Sequence, residues 1–383
     1  MRQVFQSLST GAIELVDVPV PAINKGNLLI RTTKTLVSSG TERMLIEFGK
    51  ANLINKARQQ PDKVKDAFQK VRNDGPLYVV ESIQNKLNEP IPLGYCNVGI
   101  VIAVGSNVTG FIPGDRVVSN GPHAEIVNIP KNLCCLIPSD VSDDEAVFTV
   151  LSSIGLQGIR LAQPTFGETF LVSGLGLIGL LTAQLLRAQG CRVLGIDPDQ
   201  ARCDLAESLG ITCAKPSSSL EQVEWCKSQT SGIGIDGSII TASTSSNEPI
   251  DVASEACRQR GRIVLVGVTG LEIKRDLFYK KELSFQVSCS YGPGRYDNCY
   301  EKDGNDYPIG LVRWTEQRNF QAILQALSNK LLITKELISH RFSFEKYNDA
   351  YKLLSEESSS LGIILDFKEK VDSTCRTINL NDQ

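Results

Sequence analysis

Hydrophobic and polar positions change rhythm twice along this chain. Up to about residue 42 the apolar positions come in short alternating runs closed by proline or glycine. "AIELVDVPVP" ends in two prolines and "NLLIRTTKTLVSSG" alternates before stopping at a glycine, which predicts strands. Residues 43–90 break that rhythm. "RMLIEFGKANLINKARQQPDKVKDAFQKVRNDG" reads as helical, with Pro61 suited to a first helical turn and Val64, Phe68 and Val71 on one face. Strands and turns return over residues 91–138, in "VGIVIAVG", "PGDRVV" and "HAEIVNIP". From about residue 149 the strands "TFLVSG", "RVLGID", "GSIITAS", "RIVLVGV" and "LSFQVSCS" alternate with helices, among them residues 178–189 and 198–209. Continuous apolar strands separated by helices predict an α/β fold with a doubly wound parallel sheet. A further helix is expected over residues 311–328, then a closing strand in "LGIILDF" and a loose polar tail over residues 368–383.

The rhythm divides the chain into a β-rich domain over residues 1–148 with a helical insertion at 43–90, a dinucleotide-binding domain over 149–329, and a return to the first domain over 330–383. A length of 383 residues fits two domains, and 42% apolar with 22% charged residues is ordinary for a globular protein. The formal net charge of -3 gives no reason to expect nucleic acid as the partner. The longest uncharged run, Phe170 to Leu186, is interrupted by Gly174, Gly176 and Gly179, so it reads as strand, turn and helix rather than a membrane span. The N-terminal stretch has no apolar core of signal-peptide length, and eleven cysteines without a small-domain framework read as reduced thiols, so a cytoplasmic location is expected.

"FLVSGLGLIGLL" carries Gly174-Leu175-Gly176-Leu177-Ile178-Gly179, a G-x-G-x-x-G pattern that follows a strand and opens a helix. The first glycine permits a tight turn, the second lets backbone approach a pyrophosphate, and the third lets helix pack on strand. The helix N-terminus offers free N–H groups to phosphate. The next strand ends in "GID", placing Asp197 to accept hydrogen bonds from both ribose hydroxyls and to repel a 2'-phosphate, which favours NAD over NADP; Arg202, five residues on, works against that preference. Later strand ends, Thr241, Ala242 and Ser243 and then Val266, Gly267 and Val268, are expected on the nicotinamide side, with Ser290 after the last strand.

"GIVIAVGSNVTGFIPGDRV", "HAEIVNIP", "SGLGLIGLLTAQLLRAQGCRVLGID" and "GRIVLVGV" together resemble the medium-chain dehydrogenase/reductase superfamily, over most of residues 1–367. The resemblance implies a GroES-like catalytic domain built from both chain ends, an active-site cleft between the domains, and a homodimer. "RTTKTLVSSGTERMLIEFGKANLINKARQQPDKV", "PLGYCNVG", "SNGPHAEIV" and "VSCSYGPGRYDNCYEKDGNDYPIGLVRWTEQRNF" look like the dehydrogenase half of bacterial bi-domain oxidoreductases associated with surface-polysaccharide biosynthesis. That likeness implies a sugar or nucleotide-sugar substrate, and a second oxidoreductase domain or partner.

Zinc-dependent members of the superfamily carry Cys-Gly-x-Asp and then Gly-His-Glu. The equivalent stretches here are "SSGTE" and "LGYCNVG", with Ser39 at the first ligand, Tyr95 at the histidine and Cys96 at the glutamate. Serine and tyrosine hydroxyls are poor ligands at neutral pH, so no metal is expected. A proton must then move by other means, and Tyr95, His123, Ser39 and Glu42 are the candidates. Cys96 is expected to pack or to border the substrate with Asn97. In "SCSYGPGRYD", Tyr291, Arg295 and Tyr296 are expected near the cleft, where an arginine can grip phosphate or carboxylate. Residues 43–72 hold eight Lys/Arg against three Asp/Glu, either a solvated face or an attraction for an anionic substrate. The reading is a zinc-independent, NAD-dependent dehydrogenase of a sugar, nucleotide-sugar or polyol hydroxyl. A zinc-free quinone or enoyl reductase and a cofactor-binding protein without turnover are the alternatives.

Overall fold

The structure, a computed structural model, describes residues 1–50, 89–356 and 360–369, with residues 371 and 377. The expected helix bearing Val64, Phe68 and Val71, and most of the basic stretch, lie outside the described residues.

The chain opens with β1 (Arg2–Gln6), β2 (Ile13–Asp17) and β3 (Asn27–Ser38), then α1 (Thr41–Lys50), β4 (Ile91–Pro92), β5 (Asn97–Val104), β6 (Arg116–Ser119), β7 (Ile126–Pro130) and β8 (Cys134–Leu136). A short α2 (Asp143–Ala146) leads into α3 (Thr149–Ala162). Strand and helix then alternate: β9 (Thr169–Ser173), α4 (Leu177–Ala188), β10 (Arg192–Ile196), α5 (Gln200–Ser208), β11 (Thr212–Ala214), α6 (Ser219–Gln229), β12 (Ile235–Ile240), α7 (Glu248–Ala256), β13 (Cys257–Leu265), α8 (Arg275–Lys281) and β14 (Ser284–Val287). The end of the chain adds α9 (Asn298–Glu301), α10 (Glu316–Ser328), β15 (Ile338–Ser343), α11 (Tyr347–Glu356) and β16 (Gly362–Asp366).

Strands β9 to β14 form a six-stranded, wholly parallel sheet in the order β11-β10-β9-β12-β13-β14. Its central strands are apolar and buried on both faces, as a sheet covered by helices on each side requires. The order reverses between β9 and β12, and ligands of such sheets bind at the carboxyl ends of the strands on either side of that reversal.

The other half is β-rich. β15-β16-β3-β5-β6-β8 form one sheet, with β7 also paired to β3, and β2-β1-β4 form a small antiparallel sheet. β16 pairs antiparallel with the far end of β3, Gly362 opposite Ser38, so the C-terminal return lies beside the strand that ends at Ser38. The mixed α/β architecture with a parallel sheet and a separate β-rich unit agrees with the sequence reading. Helix α3 packs against α4, α10, β12 and β13 and is buried along most of its length. No helix among the described residues is long and apolar enough to cross a membrane.

Candidate active site

The glycine turn between β9 and α4 has the geometry its motif predicts. Gly174 has φ +95°, and a methyl group there would lie 2.7 Å from the backbone nitrogen of Ala242. A methyl at Gly179 would lie 2.0 Å from the Gly174 carbonyl oxygen, so helix and turn touch only because no side chain intervenes. Gly176 differs, since a methyl there would meet nothing closer than Arg202 Nη1 at 3.9 Å. That open space sits at the N-terminus of α4, where no side chain caps the first N–H groups, and it suits a pyrophosphate. Thr241 braces the turn by donating to the Gly174 carbonyl at 2.6 Å.

Asp197 ends β10 almost fully buried. Its Oδ2 accepts the Leu175 N–H at 2.7 Å and its Oδ1 accepts the Asp199 N–H at 2.9 Å, while Arg202 Nη1 stands 3.7 Å from Oδ2. The glycine turn and the carboxylate are thus one unit, and the expected spacing between them is set by a hydrogen bond.

A cleft of about 640 Å³ runs from this unit to the β-rich half. Gly174, Gly176, Leu177, Ile178, Gly179, Asp197, Arg202, Thr241, Ala242 and Ser243 line one side of it, and Ser38, Ser39, Gly40, Arg43 and Met44 line the other. Leu175 is buried behind the turn, acting through its N–H. Val266, Gly267, Val268 and Ser290 are not among the lining residues. Val268 pairs back to Ala242 through its N–H and is 55% exposed on the outer side. Ser38, Arg43 and Met44 were not identified from sequence. They come from the opposite half, and no motif spacing links them to the glycine turn.

Of the four candidates for proton transfer, Ser39 alone lines the cleft. Tyr95 is half-buried and packs against the main apolar cluster. Glu42 and His123 have no exposed surface, so neither of these proton-transfer candidates reaches the cleft directly. They join a closed network instead. Glu42 Oε1 accepts the Ser38 N–H at 3.0 Å, Glu42 Oε2 faces His123 Nε2 at 3.2 Å and accepts the Tyr351 hydroxyl at 2.5 Å, and His123 Nδ1 faces Thr35 Oγ1 at 2.7 Å. Burial and the Glu42 charge hold the Tyr351 hydroxyl well above its usual pKa. Tyr351 lies more than 300 residues from Glu42 in sequence, so nothing local could have signalled it.

Cys96 takes the packing role of the two expected for it, and neither it nor Asn97 is among the cleft-lining residues. Both are fully buried at the start of β5, where Asn97 Nδ2 donates to Thr32 Oγ1 at 2.8 Å. Burial and the nearby Glu42 charge push the Cys96 thiol well up, so it packs and does not attack. The loop carrying Tyr291, Arg295 and Tyr296 contributes no residue to the cleft lining. Tyr291 is buried against Phe320 with its hydroxyl accepting from Asn120 at 3.3 Å, and burial pushes its pKa up to about 12. Arg295 is bonded to Glu301 at 2.6 Å and lies over the rings of Tyr291 and Tyr296, the latter 73% exposed. Beside this pair the Glu316 carboxyl is buried, and among the described residues no donor reaches either oxygen. Burial, together with the Glu301 charge, raises its pKa to about 8, so a proton shared with Glu301 satisfies it at neutral pH.

Comparison with known proteins shows what the chain is similar to. A family described as "Zinc-binding dehydrogenase" matches residues 178–302. A D-guloside 3-dehydrogenase of Escherichia coli K12 is 28% identical over 270 residues, covering 68% of this chain and 72% of that protein. A D-xylulose reductase of Saccharomyces cerevisiae is 26% identical over 311 residues, covering 72% and 79%. Among solved structures, an alcohol dehydrogenase from Escherichia coli CFT073 complexed with NADH superposes with a TM-score of 0.72 at 20% identity, covering 96% of this chain and 99% of that one. The matched segment 178–302 contains neither Ser39 nor Tyr95 nor Cys96, so the zinc in the family's description has to be judged on the donors present. A catalytic zinc needs three nitrogen, sulfur or oxygen ligands around an open position. Two neutral hydroxyls and one buried thiol held protonated do not fit it, and among the described residues no three His, Cys, Asp or Glu side chains converge.

Proposed function

We propose that this chain is an oxidoreductase of the medium-chain, zinc-binding-dehydrogenase group it resembles, and that it oxidises a hydroxyl of a sugar, nucleotide sugar or polyol, or reduces the matching ketone, with NAD as cofactor and without a catalytic zinc. The observation that carries the reading is the cleft itself. One wall is a glycine turn fused to a ribose-reading carboxylate, and the other is a short hydroxyl-bearing segment, Ser38–Ser39. The named activities of the relatives, on a guloside and on xylulose, support a polyhydroxylated substrate.

When bound, nicotinamide supplies the hydride chemistry. The chain's residues bind and orient around it. The α4 N-terminus and the space over Gly176 would hold the pyrophosphate, and Asp197 would accept the ribose hydroxyls, with Asp199 beside it adding to the repulsion of a 2'-phosphate. On the opposite wall Ser39 borders the cleft, and it is the residue to which we assign the departing alcohol proton. We read the open edge strand β14, with Val268, Leu271, Ile273, Tyr279 and Val287 exposed around it, as the face that joins two copies. We place the substrate among surface-polysaccharide precursors, the second oxidoreductase unit being a separate domain or partner. The test is reduction of NAD, followed by absorbance, over a panel of free sugars, nucleotide sugars and polyols. Turnover only with NADPH and an activated alkene would overturn the reading.

A further inference from the structure

We propose that Glu42 and His123 are a buried positioning pair that fixes the cleft segment Ser38–Gly40 against the segment Gly94–Tyr95 beside it. Each partner grips one segment. Glu42 Oε1 holds the Ser38 N–H at 3.0 Å, one residue before Ser39. His123 holds the other segment twice. Its N–H donates to the Leu93 carbonyl at 2.8 Å, and its ring lies against Gly94, where φ is +89° and a methyl group would stand 2.6 Å from the imidazole carbons. The Glu42 to His123 contact at 3.2 Å therefore links the backbone that carries Ser39 to the backbone that carries Tyr95.

The link is built to be rigid. Both side chains have no exposed surface, so water cannot substitute for either partner. The second ring nitrogen is held by Thr35 and the second carboxylate oxygen also takes the Tyr351 hydroxyl, which leaves neither group a free rotamer. Assigned so that Thr35 donates to Nδ1, the ring carries its proton on Nε2 and donates to Glu42, and three donors then converge on one carboxylate. Displacing a reacting group by about 1 Å costs on the order of a hundredfold in rate, so a pair that never touches substrate still sets kcat. Here the catalytic consequence rests on the proposed dehydrogenase activity, while the mechanical link does not.

The experiment reads both. In Glu42→Gln and His123→Asn variants, backbone amide resonances of Gly40 and Tyr95 are recorded, with kcat and NAD affinity. Each substitution is expected to move the amide on the far segment, Tyr95 for Glu42→Gln and Gly40 for His123→Asn. We expect kcat to fall roughly tenfold or more with NAD affinity within about twofold, and the double variant to be no worse than the poorer single one. Shifts confined to each residue's own segment, or fully additive losses, overturn the pairing. If either variant fails to fold, Thr35→Val removes only the Nδ1 partner and is expected to move both amides; no movement overturns the proposal. A wild-type protein that turns over no sugar or polyol, yet shows the crossed amide shifts, refutes the proposed function and leaves the link standing.

Discussion

Asp197 does two jobs with one carboxylate, and both can be separated by substitution. It ties Leu175 of the glycine turn to β10 and keeps Arg202 at 3.7 Å. Replacing it with alanine removes hydrogen bonds to a charged group worth about 1.5–3 kcal/mol, and leaves Arg202 without that carboxylate at the ribose end. Asp197→Ala is expected to weaken NAD by roughly ten- to a hundredfold and to raise the use of NADP relative to NAD. Steady-state kinetics with both cofactors check it, and unchanged preference would refute the assignment. Cys96 makes the opposite point. It stands in "LGYCNVG", the stretch equivalent to the Gly-His-Glu of the zinc-dependent members, yet the thiol is sealed and its pKa is pushed well up. Alkylation of the native protein, read by mass spectrometry, is expected to label the exposed Cys289 and Cys299 and to spare Cys96. Residue identity was legible at the glycine turn because φ, close approach and spacing are all local. It was not legible at Glu42 and His123, whose burial depends on Tyr351 and Thr35 arriving from elsewhere in the chain.

At the scale of elements, the long periodic runs gave their boundaries closely. The helix expected at 178–189 runs Leu177–Ala188, and the strand in "LGIILDF" is β16. β11 was missed because three residues at a sheet edge carry no readable period. The helix expected from residue 311 starts at Glu316, after the turn that follows Pro308. That start is where an element-scale test lies. Glu316 opens α10 buried, facing Glu301 of α9, with Arg295 of the preceding loop close to both and Tyr291 and Tyr300 beside them. Its folded-state pKa of about 8 lies above the ordinary value of 4.5, so the folded state binds the extra proton between those limits. Stability from this group is full at low pH and is lost as pH rises through the folded value. Glu316→Gln is therefore expected to raise Tm more at pH 8 than at pH 5, by roughly 2 °C or more. An equal shift at both pH values would contradict the shared proton. The edge strand β14 gives a second test. Val287→Lys places a charge on the open edge and is expected to turn the dimer proposed for this face into a monomer in light scattering, with NAD affinity retained; a wild-type monomer would refute that face as an interface.

For the whole molecule, the change from alternating to helix-separated strands announced two units, and the parallel order around β9 and β12 located the cleft. What the pattern could not reach is how one unit faces the other. Arg43 and Met44 enter the cleft from α1, and the loop of Tyr291 and Arg295 contributes no residue to its lining, because tertiary packing decides which side of a loop is buried. The central claim, hydride exchange between NAD and a sugar or polyol without zinc, depends on that facing. It is tested most directly by the rate of NAD reduction on the sugar panel, measured on protein stripped of metal by chelation and verified by elemental analysis, before and after zinc is added back. The account predicts the same rate in both. Activity that is lost on stripping and returns with about one zinc per chain would contradict it.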